Sequence, residues 1–202
     1  MRVKVIIFDF DGTLVDSNEI KYRAFFDLFA PNTYDKTVIE DVLKKYGEES
    51  RYFIIEKILS GIGENDEKQS TFGKEIARYA EKYNSMIIDL VKRCEEKRNA
   101  SKILELLHGQ YRLYLSSTTP EFSLKKIIKF RQWDKYFTDI FGYPKDKVAT
   151  VEKIMKSHAI SPADILIVGD GGSDRQAAKH WGCFFYPVSA SSDLLEIAKL
   201  LT

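Results

Sequence analysis

The sequence predicts an α/β fold, a doubly wound parallel sheet that carries an inserted, all-helical cap domain. Residues 3–8 and 164–170 are nearly continuous aliphatic runs, which is typical of strands covered by helices on both faces. After residue 110, strand-like and helix-like segments alternate, as they do in parallel sheets. Between the first two strands, residues 19–107 show helical periodicity and no convincing strand.

The core elements follow from these patterns in order along the chain. The predicted strands cover residues 3–8, 111–117, 138–142, 164–170 and 183–189. Predicted helices over residues 121–130, 147–158 and 174–181 separate the last four strands, and an amphipathic segment at 192–201 follows them. This alternation predicts a parallel, doubly wound sheet.

The long segment after the first strand exceeds what one crossover needs. Apolar residues recur at helical spacing over 25–29 and 53–59, and further helices are predicted over about 70–91 and 99–108. Ser101 is a candidate N-cap for the last of these helices, and residues 61–67 form a predicted loop. We therefore predict a core domain of residues 1–16 and 99–202 and a helical domain of residues 17–98.

Composition restricts the classes of partner. Lysine and arginine total 31 against 30 aspartates and glutamates, so no electrostatic excess favours nucleic acid or an anionic membrane. The apolar run before Asp9 is too short for a signal peptide core or a membrane span. Cys94 and Cys183 stand alone and are interpreted as free thiols. These features predict a cytoplasmic protein and leave its oligomeric state open.

Polar side chains follow four of the predicted strands. They are Asp9 and Asp11, the hydroxyl run at 116–119, Lys145 and Lys147, and Asp170 and Asp174. The carboxyl ends of parallel strands meet at one edge of a sheet, so these groups are expected to lie together. Clustered carboxylates repel unless a cation lies among them, and oxygen ligands without histidine or thiolate favour Mg²⁺. The lysine and hydroxyls suit phosphoryl oxygens.

Four motifs in order, DFDGT, a strand ending in Ser/Thr, a lysine and GDxxxD, resemble those of the haloacid dehalogenase superfamily of phosphohydrolases. The resemblance implies that Asp9 is the nucleophile that forms an aspartyl-phosphate. It implies that Asp11 is the general acid and base, and that its backbone carbonyl binds the metal. Ser117, with Ser116 as the alternative, would contact the phosphoryl group. Lys147, which fits better than Lys145, would neutralise charge there.

The same resemblance assigns the remaining site residues. The implied metal-binding residues are Asp9, Asp11, Asp170 and Asp174, with orientation of Lys147 as the alternative role of Asp174. The implied substrate-binding residues are Gly12, Thr118, Lys21 and Arg51. The helical insert falls where the family places its type-one cap. Arg51 resembles a phosphate-binding arginine of the β-phosphoglucomutase-like members, whereas Lys21 replaces the histidine of those mutases.

These expectations favour a magnesium-dependent phosphatase that acts on a small phosphorylated metabolite. A phosphomutase is the alternative, because it uses the same core residues and differs in the cap. A non-catalytic metal-binding module on the same fold is a further alternative, although every motif position is filled. A dehalogenase or phosphonate hydrolase is disfavoured, because neither would retain the second aspartate.

Overall fold

Five parallel strands form the sheet that organises the molecule. They are β1 (Val5–Phe8), β2 (Arg112–Pro120), β3 (Asp139–Tyr143), β4 (Ile165–Gly169) and β5 (Phe184–Pro187). The order across the sheet is β3-β2-β1-β4-β5, with every neighbouring pair parallel. The computed structural model describes residues 3–30, 35–47, 49–61 and 69–201. The predicted doubly wound parallel sheet is confirmed.

Nine helices accompany the sheet in the described ranges. They are α1 (Asn18–Phe29), α2 (Lys36–Tyr46), α3 (Arg51–Gly61), α4 (Gln69–Arg93), α5 (Ala100–Leu107), α6 (Glu121–Phe130), α7 (Lys147–His158), α8 (Gly172–Trp181) and α9 (Glu196–Leu201). The bounds of α6 and α7 coincide with the sequence prediction. β2 runs three residues beyond its predicted end.

Helices cover both faces of the sheet. On one face, Val5 and Ile7 of β1 join Ile167 of β4 in a buried cluster with residues of α7 and α8, including Val151 and Ala177. Because right-handed crossovers in opposite directions place helices on opposite faces, α5 and α6 lie on the other face. All four residues of β1 are buried, which explains the continuous aliphatic run.

The chain divides into two compact units, Met1–Ser17 with Lys92–Thr202 and Asn18–Val91. The α/β unit thus includes Ser17 and residues 92–98, which the sequence analysis placed in the helical domain. The reason is a short antiparallel contact near the point where the chain leaves the α/β unit and returns to it. There the Asp16 N–H donates to the Glu95 carbonyl at 2.8 Å, and the Lys97 N–H donates to the Leu14 carbonyl at 3.0 Å.

Helices α1 to α4 supply the helical unit, and aromatic contacts join its first and last helices. Phe25 packs against Tyr83 with 4.5 Å between ring centroids, and Phe29 stacks on Tyr79 at 5.0 Å. Helix α2 was not predicted, because it buries only Ile39 and Leu43. Of the predicted loop at 61–67, residue 61 ends α3 and the others lie outside the described residues.

Two further expectations can be compared with the structure. Ser101 does not cap α5: the N-cap position is Asn99, and the Ser101 N–H and hydroxyl both donate to Glu96 Oε2. Cys94 and Cys183 are free thiols. Within the described ranges, no helix combines the length and apolar character needed to cross a bilayer.

Candidate active site

The central position of β1 brings the strand-end residues of the α/β unit together. β1 pairs with β2 on one side and β4 on the other, so Asp9 and Asp11 emerge between the ends of these two strands. The Asp9 N–H continues the ladder by donating to the Val168 carbonyl at 2.8 Å. Phe10, between the two aspartates, is fully buried. The alternation of an extended chain thus separates the packing residue from the two carboxylates.

Lys147 lies between two buried carboxylates. Its Nζ is 3.0 Å from Asp9 Oδ1 and 2.7 Å from Asp174 Oδ1, and all three residues are less than a tenth exposed. Lys147 is the first residue of α7, whose N-terminus is capped by the Asp146 side chain at the Ala149 N–H. The competing Lys145 instead lies over the Phe141 ring, 4.7 Å from its centroid. The structure therefore joins Lys147, and not Lys145, to the aspartates.

Burial and charge perturb all three groups. Burial raises the pKa of Asp9 well above that of an ordinary aspartate; Lys147 opposes this rise, and the neighbouring carboxylates add to it. Burial also raises the pKa of Asp174, again against the effect of Lys147. For Lys147, burial acts to lower the pKa, but Asp9 and Asp174 outweigh it and the pKa is raised. The ammonium therefore stays charged and partly neutralises a site with excess negative charge.

Three carboxylates form a candidate cation site. One oxygen each of Asp9, Asp170 and Asp174 lies within 4.8 Å of the others. Among the described residues, Asp174 Oδ2 is buried and has no hydrogen-bond partner, which is costly for a carboxylate oxygen unless a ligand occupies that direction. An all-oxygen donor set of this charge fits Mg²⁺. Thr13 orients the third carboxylate, because its hydroxyl donates to Asp170 Oδ1 at 3.0 Å and accepts the Asp170 N–H at 3.1 Å.

Gly169 makes room for the cluster. A Cβ atom at this last residue of β4 would lie 2.2 Å from Asp174 Cγ and 2.4 Å from Asp174 Oδ2. The carboxylate of Asp174 therefore packs directly on the backbone of β4, in space that any other residue would fill.

Asp11 has a different environment, made of hydroxyl groups. Asp11 Oδ1 accepts from Ser17 at 2.6 Å, and Oδ2 accepts from Thr119 at 2.8 Å and from Ser117 at 3.3 Å. Its side chain is thus hydrogen-bonded apart from the three-carboxylate cluster. A metal contact of the Asp11 backbone carbonyl stays a prediction. The two aspartates of DFDGT therefore stand in distinct surroundings, one beside a cation and one among hydroxyls.

The hydroxyl run at 116–119 lies within β2, where alternate residues point to opposite sides. Ser117 is buried and directed toward Asp11, whereas Ser116, also buried, occupies the alternate position of the strand. Thr118 is exposed. Gly12 has φ +73°, a left-handed conformation that favours glycine, and its N–H donates to the Val15 carbonyl at 2.8 Å. The contact to Asp11 thus favours Ser117 over Ser116, while the roles of Gly12 and Thr118 stay predictions.

Comparison with known proteins agrees with this geometry. The family model described as haloacid dehalogenase-like hydrolase matches residues 6–188, nearly the whole chain. The chain belongs to this family. The resemblance drawn from the four motifs is therefore confirmed, as is the assignment to the hydrolases.

Known relatives of this haloacid dehalogenase-like hydrolase cover most of its length at low identity. A phosphoglycolate phosphatase of Aliivibrio fischeri is 23% identical over 194 residues, covering 93% of this chain and 84% of the relative. The pyrophosphatase PpaX of Anoxybacillus flavithermus is 24% identical over 190 residues, covering 90% of this chain and 81% of the relative.

Solved structures share the fold. The crystal structure of a predicted phosphoglycolate phosphatase from Haemophilus somnus has a TM-score of 0.78 and 20% identity, covering 100% of this chain and 99% of that one. The hydrolase YfnB from Bacillus subtilis, solved bound to magnesium, has a TM-score of 0.71 and 17% identity, with coverage of 100% and 99%. At these identities, the structures establish a common fold.

The two residues expected to bind the substrate, Arg51 and Lys21, lie in the helical unit of the hydrolase. Arg51, the first residue of α3, is buried; it donates to Asn84 Oδ1, and its guanidinium lies 5.1 Å from the centroid of the Tyr83 ring. The Lys21 carbonyl accepts from the Tyr83 hydroxyl at 2.9 Å. Substrate contact by Arg51 and Lys21 stays a prediction.

Sequence reasoning gave no role to three residues of the site, Thr13, Ser17 and Thr119, although Thr119 belongs to the hydroxyl run expected at this edge of the sheet. Thr13 belongs to the quoted DFDGT motif, so its hydroxyl could have been included with the aspartates. Ser17 and Thr119 carry a weaker signal, since a hydroxyl near a carboxylate in sequence does not indicate which atom it reaches. Their contact with Asp11 becomes evident only when β1 and β2 are paired.

Proposed function

We propose that the protein is a magnesium-dependent phosphatase that hydrolyses a small phosphate monoester through an aspartyl-phosphate on Asp9. The observation that supports this most is the position of Asp9, whose carboxylate is 3.0 Å from Lys147 Nζ and has an oxygen within 4.8 Å of oxygens of Asp170 and Asp174. A carboxylate beside both an ammonium and a candidate cation site can attack phosphorus while nearby positive charge neutralises the phosphoryl oxygens.

Asp9, Asp170 and Asp174 would hold Mg²⁺ together with the Asp11 carbonyl, and the unpartnered Oδ2 of Asp174 supports that donor set. When bound, Mg²⁺ supplies charge neutralisation for the phosphoryl oxygens and keeps the Asp9 carboxylate ionised. Lys147 would also neutralise charge on the phosphoryl oxygens, because its ammonium is buried against Asp9. Ser117 Oγ would donate to a phosphoryl oxygen.

The reaction would take place in two balanced steps. In the first, an Asp9 oxygen forms a bond to phosphorus, the ester P–O bond breaks, and Asp11 donates its proton to the leaving oxygen. In the second, Asp11 takes a proton from water as the water oxygen attacks phosphorus; the bond to Asp9 breaks and phosphate leaves. Asp11 thereby regains the proton that it gave in the first step. The distinct environments of Asp9 and Asp11 suit a nucleophile and a proton carrier.

The finer features of this proposal concern the substrate and its surroundings. We assign residues 18–91 the role of a type-one cap, in which Arg51 and Lys21 would contact the leaving group. Lys21 in place of histidine favours hydrolysis over phosphoryl return, and therefore a phosphatase over a phosphomutase. The relatives named for phosphoglycolate and pyrophosphate make these two compounds the first substrates to test. We expect a cytoplasmic enzyme that binds neither nucleic acid nor membrane.

Phosphate release tests the proposal. The purified protein, with Mg²⁺, is assayed on p-nitrophenyl phosphate, phosphoglycolate and pyrophosphate, and again after removal of the metal by EDTA. We expect turnover that EDTA abolishes, and none in Asp9→Asn. Asp134→Asn, which changes an exposed aspartate outside the site, is the matched control and should retain activity. Mass spectrometry of acid-quenched Asp11→Asn should detect covalent phosphate on Asp9. Undiminished turnover by Asp9→Asn would refute the assignment.

A further inference from the structure

The Asp11 carboxylate is held by hydroxyls from two separate parts of the chain. Ser17 follows it by six residues and donates to Oδ1 at 2.6 Å. Thr119, from the end of β2, donates to Oδ2 at 2.8 Å, and Ser117 donates to the same oxygen at 3.3 Å. All four side chains are buried. Three buried hydroxyls therefore orient this one carboxylate.

An irregularity in β2 holds Thr119 in place. β2 pairs with β3 at Ser116↔Phe141 and again at Pro120↔Tyr143, with a register shift between the two pairs. Within this segment, the Thr119 N–H donates to Ser117 Oγ at 3.1 Å. The Thr119 carbonyl lies so close to Gly142 that a Cβ there would approach it to 2.6 Å. The Thr119 backbone is thus hydrogen-bonded at its N–H to Ser117 and closely packed at its carbonyl against Gly142.

The two hydroxyls on Asp11 Oδ2 differ in what they can do. The Ser117 contact is the longer one, and the proposed function gives the Ser117 hydroxyl a phosphoryl oxygen to bind. Thr119 has the shorter contact, and the proposed function gives its hydroxyl no phosphoryl oxygen to bind. A hydroxyl can donate a hydrogen bond to a carboxylate and accept one from a carboxylic acid. Thr119 can therefore stay hydrogen-bonded to Asp11 both before and after Asp11 gives up its proton.

We propose that Thr119 is a positioning residue that orients the Asp11 carboxyl group toward the leaving-group oxygen. This inference rests on the proposed phosphatase reaction. In the step concerned, the ester P–O bond breaks as the Asp11 O–H proton moves to the departing oxygen, and the hydroxyl of Thr119 stays intact. Thr119 therefore contributes most when the leaving group is basic and needs the proton as it departs.

Leaving-group dependence tests the inference, with phenyl phosphate and p-nitrophenyl phosphate as probes. Phenolate is the poorer leaving group and needs protonation more. In Thr119→Val, which removes the hydroxyl and keeps the shape, we expect kcat on phenyl phosphate to fall about tenfold further than kcat on p-nitrophenyl phosphate. KM for both esters should change little, because Thr119 acts through Asp11. Thr119→Ser, which restores a hydroxyl, should recover the wild-type ratio of the two kcat values.

Thr150→Val is the matched control for loss of a buried threonine hydroxyl, because the Thr150 hydroxyl donates to the carbonyl of Asp146, the N-cap of α7, and not to Asp11. It should leave the ratio of the two kcat values unchanged. Equal losses on both esters in Thr119→Val, or no recovery in Thr119→Ser, would overturn the inference alone. A wild-type protein that turns over neither ester would overturn the proposed function and this inference with it.

Discussion

The contact between Gly169 and Asp174 allows a substitution whose effect can be worked out from distances. In Gly169→Ala, the added Cβ would lie 2.2 Å from Asp174 Cγ and 2.6 Å from Asp174 Cβ, more than an ångström inside ordinary contact for the first pair. Asp174 is 1% exposed, so it has no solvent-filled space to move into. The side chain must shift within a packed core, away from the 2.7 Å contact that it makes with Lys147.

Two effects are expected from this shift. Overpacking of a core costs about 1–3 kcal/mol of unfolding free energy. For a chain of this size, each kcal/mol lowers the melting temperature by about 2–4 °C. The displaced carboxylate also moves relative to Asp9 and Asp170, so binding of Mg²⁺ at the proposed site should weaken. We expect a lower melting temperature, little further stabilisation by added Mg²⁺, and a large loss of phosphate release.

Gly171→Ala provides the matched control, because its Cβ would lie 3.5 Å from Asp174 Oδ2, an ordinary contact. Thermal unfolding with and without Mg²⁺ and phosphate release from p-nitrophenyl phosphate are measured for both variants. Gly171→Ala should resemble the wild type in both assays. Wild-type metal stabilisation and turnover in Gly169→Ala would refute the reasoning, as would equal damage in the two variants.

Three more outcomes follow from the same geometry. Asp9 and Asp174 have folded pKa values raised above their ordinary 3.8, mainly by burial, so the stability they confer is full below about pH 3.8 and is lost as pH rises through the raised values. Between about pH 4 and about pH 8, the melting temperature of the metal-free protein should therefore fall relative to that of the Mg²⁺-loaded protein. A difference that does not change with pH would contradict this. Lys147→Met leaves two buried carboxylates without their cation, and guanidinium titration without Mg²⁺ should show a loss of about 3–5 kcal/mol; wild-type stability would count against the buried ion pairs. Gly142→Ala, whose Cβ would lie 2.5 Å from Glu121 Cα, should lose about 1–3 kcal/mol in the same titration, whereas Gly109→Ala, with nothing within 4 Å, should be neutral.

Much of the α/β unit could be predicted because its signals are local. A buried aliphatic run followed by Asp9 and Asp11 indicates both a central strand and its functional end. The same logic correctly predicted the strand that precedes Asp170 and the helix that starts at Lys147. Each of these predictions needs only the period of the apolar residues and the rule that parallel strands end at one edge.

The remainder depends on contacts and burial that the composition and periodicity of the sequence do not indicate. Thr119 reaches Asp11 because of a register shift in β2, and no feature of the sequence SSTTP indicates that shift. Ser101 has the composition of an N-cap, but Glu96 accepts its hydroxyl proton instead. Helix α2 was not predicted because only two of its residues are buried. In these cases, tertiary partners and not local propensity decide the outcome.

The antiparallel contact between residues 14–16 and 95–97 has a consequence for how the gene can vary. Two backbone hydrogen bonds tie the outgoing and the returning chain together inside the α/β unit, and the Lys97 Nζ adds an ion pair with Asp16 at 3.2 Å. Because the two ends of the insertion are fastened to each other, their spacing does not depend on what lies between them. Segments of different length and composition could therefore be exchanged at this junction without changing the strand order of the α/β unit.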